Sequence, residues 1–413
     1  MNRRQFVTAG IGGALAAHSL AAVQGGLPLQ SPGLDTVREL FPRLEGEVFL
    51  NAAAGTPLGR FAEDGLRRYQ DFWKLGPGQG RGEYRGEVLS KIRGLFGRLI
   101  GAQASEIGLI HCTKAGEQIV LDSLPALRRG GNVVTNDLHF SGSLHNLIGL
   151  KKAGLDVRIV RNRNWDVSLQ AMQEAIDERT ALVSVSLLSN INGRVEPIKE
   201  LSQAAHAQGA YVYADIIQAA GIVPFDVRSL GIDFAACSGY KWLFGPHGVG
   251  FFYVRQELQG SGLPDHLFPG HVRPNYTPWV ESPQADLPDF AYAAPEDASR
   301  YQPGHVSYLG YSALYEGLKF IESVGVERSL QHSIRLNRRL KDSLDPDRYQ
   351  CISPHLDQSP IITFIAKDPS QLAERLSSAK VVVSLAGNRI RVSPAVFNNG
   401  SDIDRLAEVL NQA

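Results

Sequence analysis

One lysine, Lys241, stands within Cys237-Ser238-Gly239-Tyr240-Lys241-Trp242-Leu243-Phe244-Gly245-Pro246-His247-Gly248-Val249-Gly250, between an apolar stretch and a glycine-rich one. Upstream, Asp215 closes the run Tyr211-Val212-Tyr213-Ala214, and Gln218 follows one helical turn later. An amine on a tight turn and a carboxylate at a strand end are the two groups that a pyridoxal phosphate site requires. The lysine forms a Schiff base with the aldehyde, and the carboxylate keeps the pyridine nitrogen protonated so that the ring accepts electrons. Each residue also has a plainer reading, a surface lysine in a turn and an aspartate capping the next helix. Together they predict an enzyme.

The surrounding pattern supplies elements that can position such groups. Strand-like runs fall at 132–136, 157–160, 181–187, 210–214, 234–238 and 248–254. Between them, 115–127, 143–153, 169–176 and 198–208 carry apolar residues at helical spacing. Strands separated by helices of that length predict right-handed crossovers and an α/β fold, its mostly parallel central sheet sandwiched by helices. Ligand sites in such sheets lie beyond the carboxyl ends of the strands. Asp215 and Ser238 fall at two such ends. Cys112-Thr113-Lys114-Ala115-Gly116 precedes a helix, so its N–H groups and dipole offer an anion site to which Thr113 adds a hydroxyl; a simple threonine N-cap fits the same residues. Further on, 311–324 and 326–343 read as helices, 361–365 and 389–392 as strands, and 402–410 as a last helix. This tail predicts a smaller C-terminal α+β domain.

Composition narrows the field. The 413 residues carry 42 basic and 42 acidic side chains, a zero balance that gives no support to a general nucleic-acid or membrane-surface role. The three cysteines, Cys112, Cys237 and Cys351, are too scattered for a disulfide framework or a zinc pattern. Asn2-Arg3-Arg4-Gln5-Phe6-Val7 resembles a twin-arginine export signal, followed by a short Gly/Ala-rich run and small residues at Ser19, Ala21 and Ala22. That run is too short and glycine-rich to span a bilayer. The expected divisions are a signal at 1–22, an N-terminal arm at 23–50, a large cofactor-binding domain at 51–305 and a small domain at 306–413. Export implies a periplasmic enzyme served by the twin-arginine machinery; a cytoplasmic enzyme with an extended amino terminus is the alternative. Between Gln256 and Pro303 the pattern dissolves into prolines and aromatics, a long excursion of the kind that covers a site or forms a subunit contact.

The order of these motifs resembles the class V aminotransferases, fold-type I pyridoxal phosphate enzymes that include cysteine desulfurases and isopenicillin N epimerase. The likeness runs from Phe49-Leu50-Asn51-Ala52-Ala53-Ala54-Gly55 to Ile390-Arg391-Val392-Ser393-Pro394, with Asn398 and the helix after Asp402. It is densest from Ser189-Asn190-Ile191-Asn192-Gly193 to Gly250. The resemblance implies that Lys241 carries the cofactor, Asp215 pairs with the ring nitrogen and Gln218 donates to the phenolic oxygen. It further implies that Thr113, Lys114, Ser238 and Tyr240 serve the phosphate, Tyr240 standing where many relatives have histidine. His139 would stack on the ring, with Asn190 near the phenolic edge or the substrate carboxylate. Ala53 would lie near the substrate, and Arg391 would grip its α-carboxylate with a two-point fork. In Gly304-His305-Val306-Ser307, His305 replaces the threonine that reaches the neighbouring subunit's phosphate. A homodimer with shared sites is therefore implied.

Desulfurases of this family place a mobile cysteine shortly before the arginine strand. No cysteine lies between Ala366 and Arg391 here, which argues against persulfide-based desulfuration. Transamination is the reaction expected first; epimerisation of the isopenicillin N epimerase kind, and C–S or α,β-lysis, are the alternatives. All begin with loss of a Cα proton from an amino-acid or peptide-like substrate. Phe268–Trp279 would line a wide entrance for a peptide-like substrate. A ligand-binding protein without catalysis is the non-enzyme alternative, disfavoured by the absence of a DNA-binding segment ahead of the fold.

Overall fold

The computed structural model describes residues 33–74, 88–264 and 295–412. The expected signal at 1–22, the first part of the expected arm at 23–32, and Phe268–Trp279 lie outside the described residues. Among the described residues there are thirteen strands. The first is β1 (Val48–Phe49), followed by β2 (Ile107–Ile110), β3 (Asn132–Asn136), β4 (Val157–Val160), β5 (Thr180–Ser186), β6 (Tyr211–Asp215), β7 (Phe234–Ser238) and β8 (Gly250–Val254). Beyond them come β9 (Tyr349–Cys351), β10 (Ile362–Ala366), β11 (Val381–Val382), β12 (Ser384–Ala386) and β13 (Arg389–Val392).

Seven strands form the central sheet in the order β2-β8-β7-β6-β5-β3-β4. Neighbours from β4 through β3, β5 and β6 to β7 are parallel, and β8 alone runs against its neighbours β7 and β2. The crossover helices are Ser141–Lys152, Leu169–Glu174 and Ile198–Ala207, each within a few residues of its predicted span. The helix read over 115–127 is two pieces, Thr113–Ser123 and Pro125–Arg128, because Pro125 has no N–H to continue the first.

Both sheet faces are covered. Val183, Val185, Val212, Ala214, Ala235 and Cys237 enter one core, whereas Leu182, Tyr213, Phe234 and Ala236 enter the other with Ile119 and Val120. That split is the two-residue alternation of strand side chains seen across the whole sheet. Helix Tyr308–Val324 joins the first core through Tyr311, Leu314 and Leu318 and packs on helix Arg60–Lys74. Gly65 allows their close crossing, since a Cβ there would meet the Ser312 carbonyl oxygen at 2.4 Å.

A third core lies between the antiparallel sheet β12-β13-β10-β9 and helices Val326–Ser343 and Gly400–Asn411. The amino-terminal side reaches it too, because Leu50 is buried there and β1 pairs in parallel with β11. Among the described residues no helix is long and apolar enough to cross a membrane.

Candidate active site

At the carboxyl ends of β5, β6 and β7, Ser186 lies opposite Asp215, and Asp215 opposite Ala236. Alternation therefore puts Ser184, Ser186, Tyr213, Asp215 and Ser238 on the face that receives helix Thr113–Ser123. The helix start is drawn against β7. Gly116 permits it, because a Cβ at that position would sit 2.5 Å from the Ala236 Cβ.

Thr113 and Ser238 then clasp each other. The Thr113 amide donates to Ser238 Oγ at 2.8 Å, the Ser238 amide donates to Thr113 Oγ1 at 2.9 Å, and the hydroxyls lie 3.0 Å apart. Cys112 is the N-cap and makes no side-chain cap, so Thr113 is the first helical residue and not the capping one. The first turn also lacks an acidic residue, leaving the positive dipole end open to an anion. Lys114 gives its ammonium to the buried carboxylate of Glu117 at 2.6 Å.

Asp215 caps no helix. Its Oδ1 accepts the Ile217 N–H at 3.0 Å, and the chain continues through tight turns over 217–220. Burial pushes its carboxyl pKa up, while His139, the Ile217 N–H and Lys241 draw it down. Among the described residues no cation is within ion-pairing distance of it. Gln218, in the turn, bridges two segments, donating to the Ala53 carbonyl at 3.0 Å and accepting the Trp242 indole N–H at 2.9 Å. Its amide oxygen is thereby occupied by Trp242.

Lys241 is 7% exposed in the turn after β7, its carbonyl held by the Thr56 hydroxyl at 2.8 Å. Burial is the main cause that lowers its ammonium pKa from 10.5 to about 8; Asp215 opposes that shift and Arg391 adds to it. Tyr240 stacks on His247 with ring centroids 4.1 Å apart, and burial raises its phenol.

Arg391 comes from β13 across the interface between the sheets. One terminal nitrogen donates to the Asn190 carbonyl at 2.8 Å and the other to Asn51 Oδ1 at 3.2 Å. Its Nε is buried without a partner, as is Asn190 Oδ1. No carboxylate among the described residues pairs with this guanidinium, whose pKa burial lowers to about 10. Ala53 is fixed beside it by Ser393, whose hydroxyl accepts the Ala53 N–H at 2.9 Å. A buried amine thus lies within electrostatic reach of a buried carboxylate and a buried guanidinium, and none of the three has an ion-pair partner among the described residues. They suit an occupant that is cationic at one point and carboxylate-bearing at another.

His139 is fully buried after β3, with Nδ1 2.7 Å from Ser186 Oγ and Nε2 3.5 Å from both Ser184 Oγ and Glu117 Oε1. His305 is not part of this cluster. It lies exposed near the Tyr308 hydroxyl, in a cleft of about 280 Å³ lined also by Leu89, Arg93 and Gln302. Asn51, Glu117, Ser184 and Ser186 escaped the sequence reading. The serines were findable, since alternation in Thr180–Ser186 places both on the face of Asp215.

Residues 78–406 match the model of the family described as Aminotransferase class-V. The chain belongs to that family. Class V membership makes the protein an enzyme whose cofactor is pyridoxal phosphate; the unpaired Lys241 and Asp215 fit that group, and Arg391 fits a substrate carboxylate beside it. A probable cysteine desulfurase of Methanothermobacter thermautotrophicus is 26% identical over 92% of this chain and 97% of its own length. The cysteine desulfurase of Thermococcus onnurineus superposes with a TM-score of 0.80 at 20% identity, covering 91% of this chain and 97% of that one. The cystine C–S lyase C-DES, in complex with its product cysteine persulfide, superposes with a TM-score of 0.78 at 17% identity, over 90% of this chain and 99% of its own. These structural likenesses concern the fold.

Proposed function

We propose that this class V enzyme is a C–S lyase acting on a sulfur-bearing amino acid, in preference to the transaminase expected first. The observation that carries the reading is the Lys241 amine, buried and unpaired within the influence of both Asp215 and Arg391. Pyridoxal phosphate, when bound, supplies the electron sink that lets a Cα proton leave.

The chain's own residues do the rest. Arg391 offers its fork to the α-carboxylate, with Asn51 and the Asn190 carbonyl holding the guanidinium plane. That fixes which Cα bond faces Lys241. A lysine held at about 8 has a free-base fraction at neutral pH on the order of a hundredfold above that of an ordinary lysine. It can therefore take the Cα proton and return one to a departing group. Asp215 presents a buried carboxylate whose charge a ring cation would stabilise. Thr113, Ser238 and the adjacent helix end provide hydrogen-bonding groups and a positive dipole for a phosphate. His139, fully buried beside Ser184, Ser186 and Glu117, would offer a flat face for the ring to stack on and exclude water there.

Two facts favour lysis with release of the sulfur into solution. The relatives' names include cysteine desulfurases and a cystine C–S lyase, beside one uncharacterized aminotransferase. Meanwhile no cysteine lies between Ala366 and Arg391, and Cys351 sits partly buried on β9. Incubating the holoenzyme with cystine, cysteine and cysteine conjugates tests this. Sulfide or a persulfide appearing in equal amount with pyruvate supports lysis. Stoichiometric pyridoxamine phosphate without sulfur release would replace it with transamination.

Export and dimerisation are separate proposals. The Arg3-Arg4 segment supports twin-arginine export to the periplasm, tested by replacing both with lysine and fractionating cells. The cleft at His305 supports a second copy of the chain as partner, and sedimentation at micromolar concentration would show monomers if it were wrong.

A further inference from the structure

Beyond β5 the chain turns through 188–195, a loop closed at its base by the bridge between Leu188 and Val195. Successive residues of this loop are tied to the antiparallel sheet and the segment that feeds it. The Asn190 carbonyl accepts Arg391 at 2.8 Å, and the Ile191 carbonyl accepts the Thr363 hydroxyl at 3.0 Å. Thr363 and Arg391 are cross-strand partners on β10 and β13, so one register position of the sheet holds two consecutive carbonyls. Gly193 lies so close that a Cβ would meet the Ile361 carbonyl oxygen at 2.6 Å, and the Val195 N–H donates to His355 Nδ1 at 3.0 Å.

Asn192 sits at the centre of this seam and is fully buried. Its side-chain nitrogen donates to the Trp165 carbonyl at 2.8 Å and to the Ile352 carbonyl at 3.2 Å, while its Oδ1 accepts the Arg194 N–H at 3.2 Å. One amide thus joins three segments of chain, with both of its protons used. The turn that it holds at Trp165 is a strained one. Asn164 and Trp165 have φ of 53° and 66°, left-handed backbone that a bulky side chain adopts only where its surroundings impose it. On the sheet side, the Ile352 N–H donates to the Thr363 carbonyl at 2.9 Å, and Thr363 stands opposite Arg391. Hydrogen bonds therefore lead from the Asn192 amide to the strand position of the guanidinium. A shorter route runs along the loop, since the Asn190 carbonyl is only two residues away.

We propose that Asn192 is a positioning residue for the substrate carboxylate: by clamping the loop between the turn at Trp165 and the sheet at Ile352, it fixes where Arg391 presents its guanidinium. The inference rests on reading Arg391 as the carboxylate grip. The three hydrogen bonds of Asn192 all go to backbone groups, so it acts through Arg391 and not on the substrate. A fork whose carbonyl anchor shifts by about an ångström aims its remaining N–H groups elsewhere, and binding that depends on alignment is lost.

The test compares S-methyl-L-cysteine with its carboxamide, which differ only at the group that Arg391 would grip. The apparent Kd of each is read from the change in cofactor absorbance of the holoenzyme, so no particular bond need break. Asn192→Ala should weaken binding of the acid by about tenfold and of the amide by less than about twofold. Thr363→Val keeps the side-chain shape and removes only the neighbouring tie. It should move the same ratio by about threefold, and it carries the test if the alanine variant does not fold. In an Arg391→Ala background, Asn192→Ala should weaken the acid no further, because the group that it positions is gone. An unchanged acid-to-amide ratio in these variants, or full additivity with Arg391→Ala, would overturn the proposal and leave Asn192 a structural contact alone. If Arg391→Ala itself left the ratio unchanged, the carboxylate reading would fail first and this inference with it.

Discussion

The two ends of the site are built on opposite plans. At the helix end, Thr113 and Ser238 satisfy each other through two amide-to-hydroxyl bonds and a hydroxyl pair before any ligand arrives. At the substrate end, Lys241 and Arg391 are buried with no counter-ion among the described residues, and Asn190 Oδ1 and Arg391 Nε are unpartnered. Buried charge without a partner is costly, and a paired polar group is not. The helix end is therefore part of the fold's stability, whereas the substrate end is held against it. Substitutions at the two ends should separate stability from function.

The largest effect falls on Lys241. Lys241→Ala should lower turnover by roughly 10⁴-fold or more and leave no cofactor fixed to the chain by borohydride. Mass spectrometry of the reduced protein reads the second outcome directly. Unchanged covalent labelling would move the catalytic amine elsewhere and dissolve the contrast between the ends.

Arg391→Ala comes next. It should reduce kcat/KM by roughly a hundredfold, chiefly through KM for carboxylate substrates, with much smaller loss on substrates whose carboxylate is amidated. In the cofactor-free protein the same change should leave urea stability equal or higher, since an unpaired buried cation is removed. A large stability loss would show that the Asn190 and Asn51 contacts make this arginine structural.

These predictions could be written from residues that the sequence already offered, for a physical reason. Lys241, Asp215 and Ser238 sit where apolar runs end, and strand ends are legible because burial on both faces makes the runs continuous. The strands over 132–136, 157–160 and 234–238 are as predicted. Two-residue β1 and β11 were illegible because nothing alternates over so short a span, and β2 because a four-residue apolar run is too short to be told from a piece of buried helix. Glu117 was hidden differently. In a lone helix it reads as a solvated partner for Lys114, and only the sheet packed against it turns that carboxylate toward His139. Asn51 and Arg391 meet across 340 residues of chain, a pairing that spacing does not encode.

Titration sharpens the comparison further. The ammonium of Lys241 is held at about 8 in the fold against an ordinary 10.5, so the unfolded chain binds more protons between those values. The destabilisation is therefore fully present below about pH 8 and is relieved as pH rises toward 10.5. In cofactor-free protein, Lys241→Met should be more stable than wild type at pH 7 by on the order of 3 kcal/mol, and that gap should narrow at pH 9.5. Urea midpoints at the two pH values measure it. A gap that widened with pH would mean the native amine is charged and partnered, contrary to its isolation.

The smallest effect belongs to the satisfied end. Thr113→Val removes the hydroxyl that accepts the Ser238 amide at 2.9 Å while keeping the β-branched shape. It leaves a buried N–H without its acceptor, which costs about 1–2 kcal/mol of stability in the cofactor-free protein. Thr113→Ser should restore most of that loss, because the acceptor returns. Cofactor affinity should weaken by about tenfold in the valine variant, with kcat at saturating cofactor little changed, since the Lys241 and Arg391 end is untouched. If Thr113→Val instead left stability intact and abolished turnover, the clasp would be catalytic and the division between a stabilising end and a reactive one would be wrong.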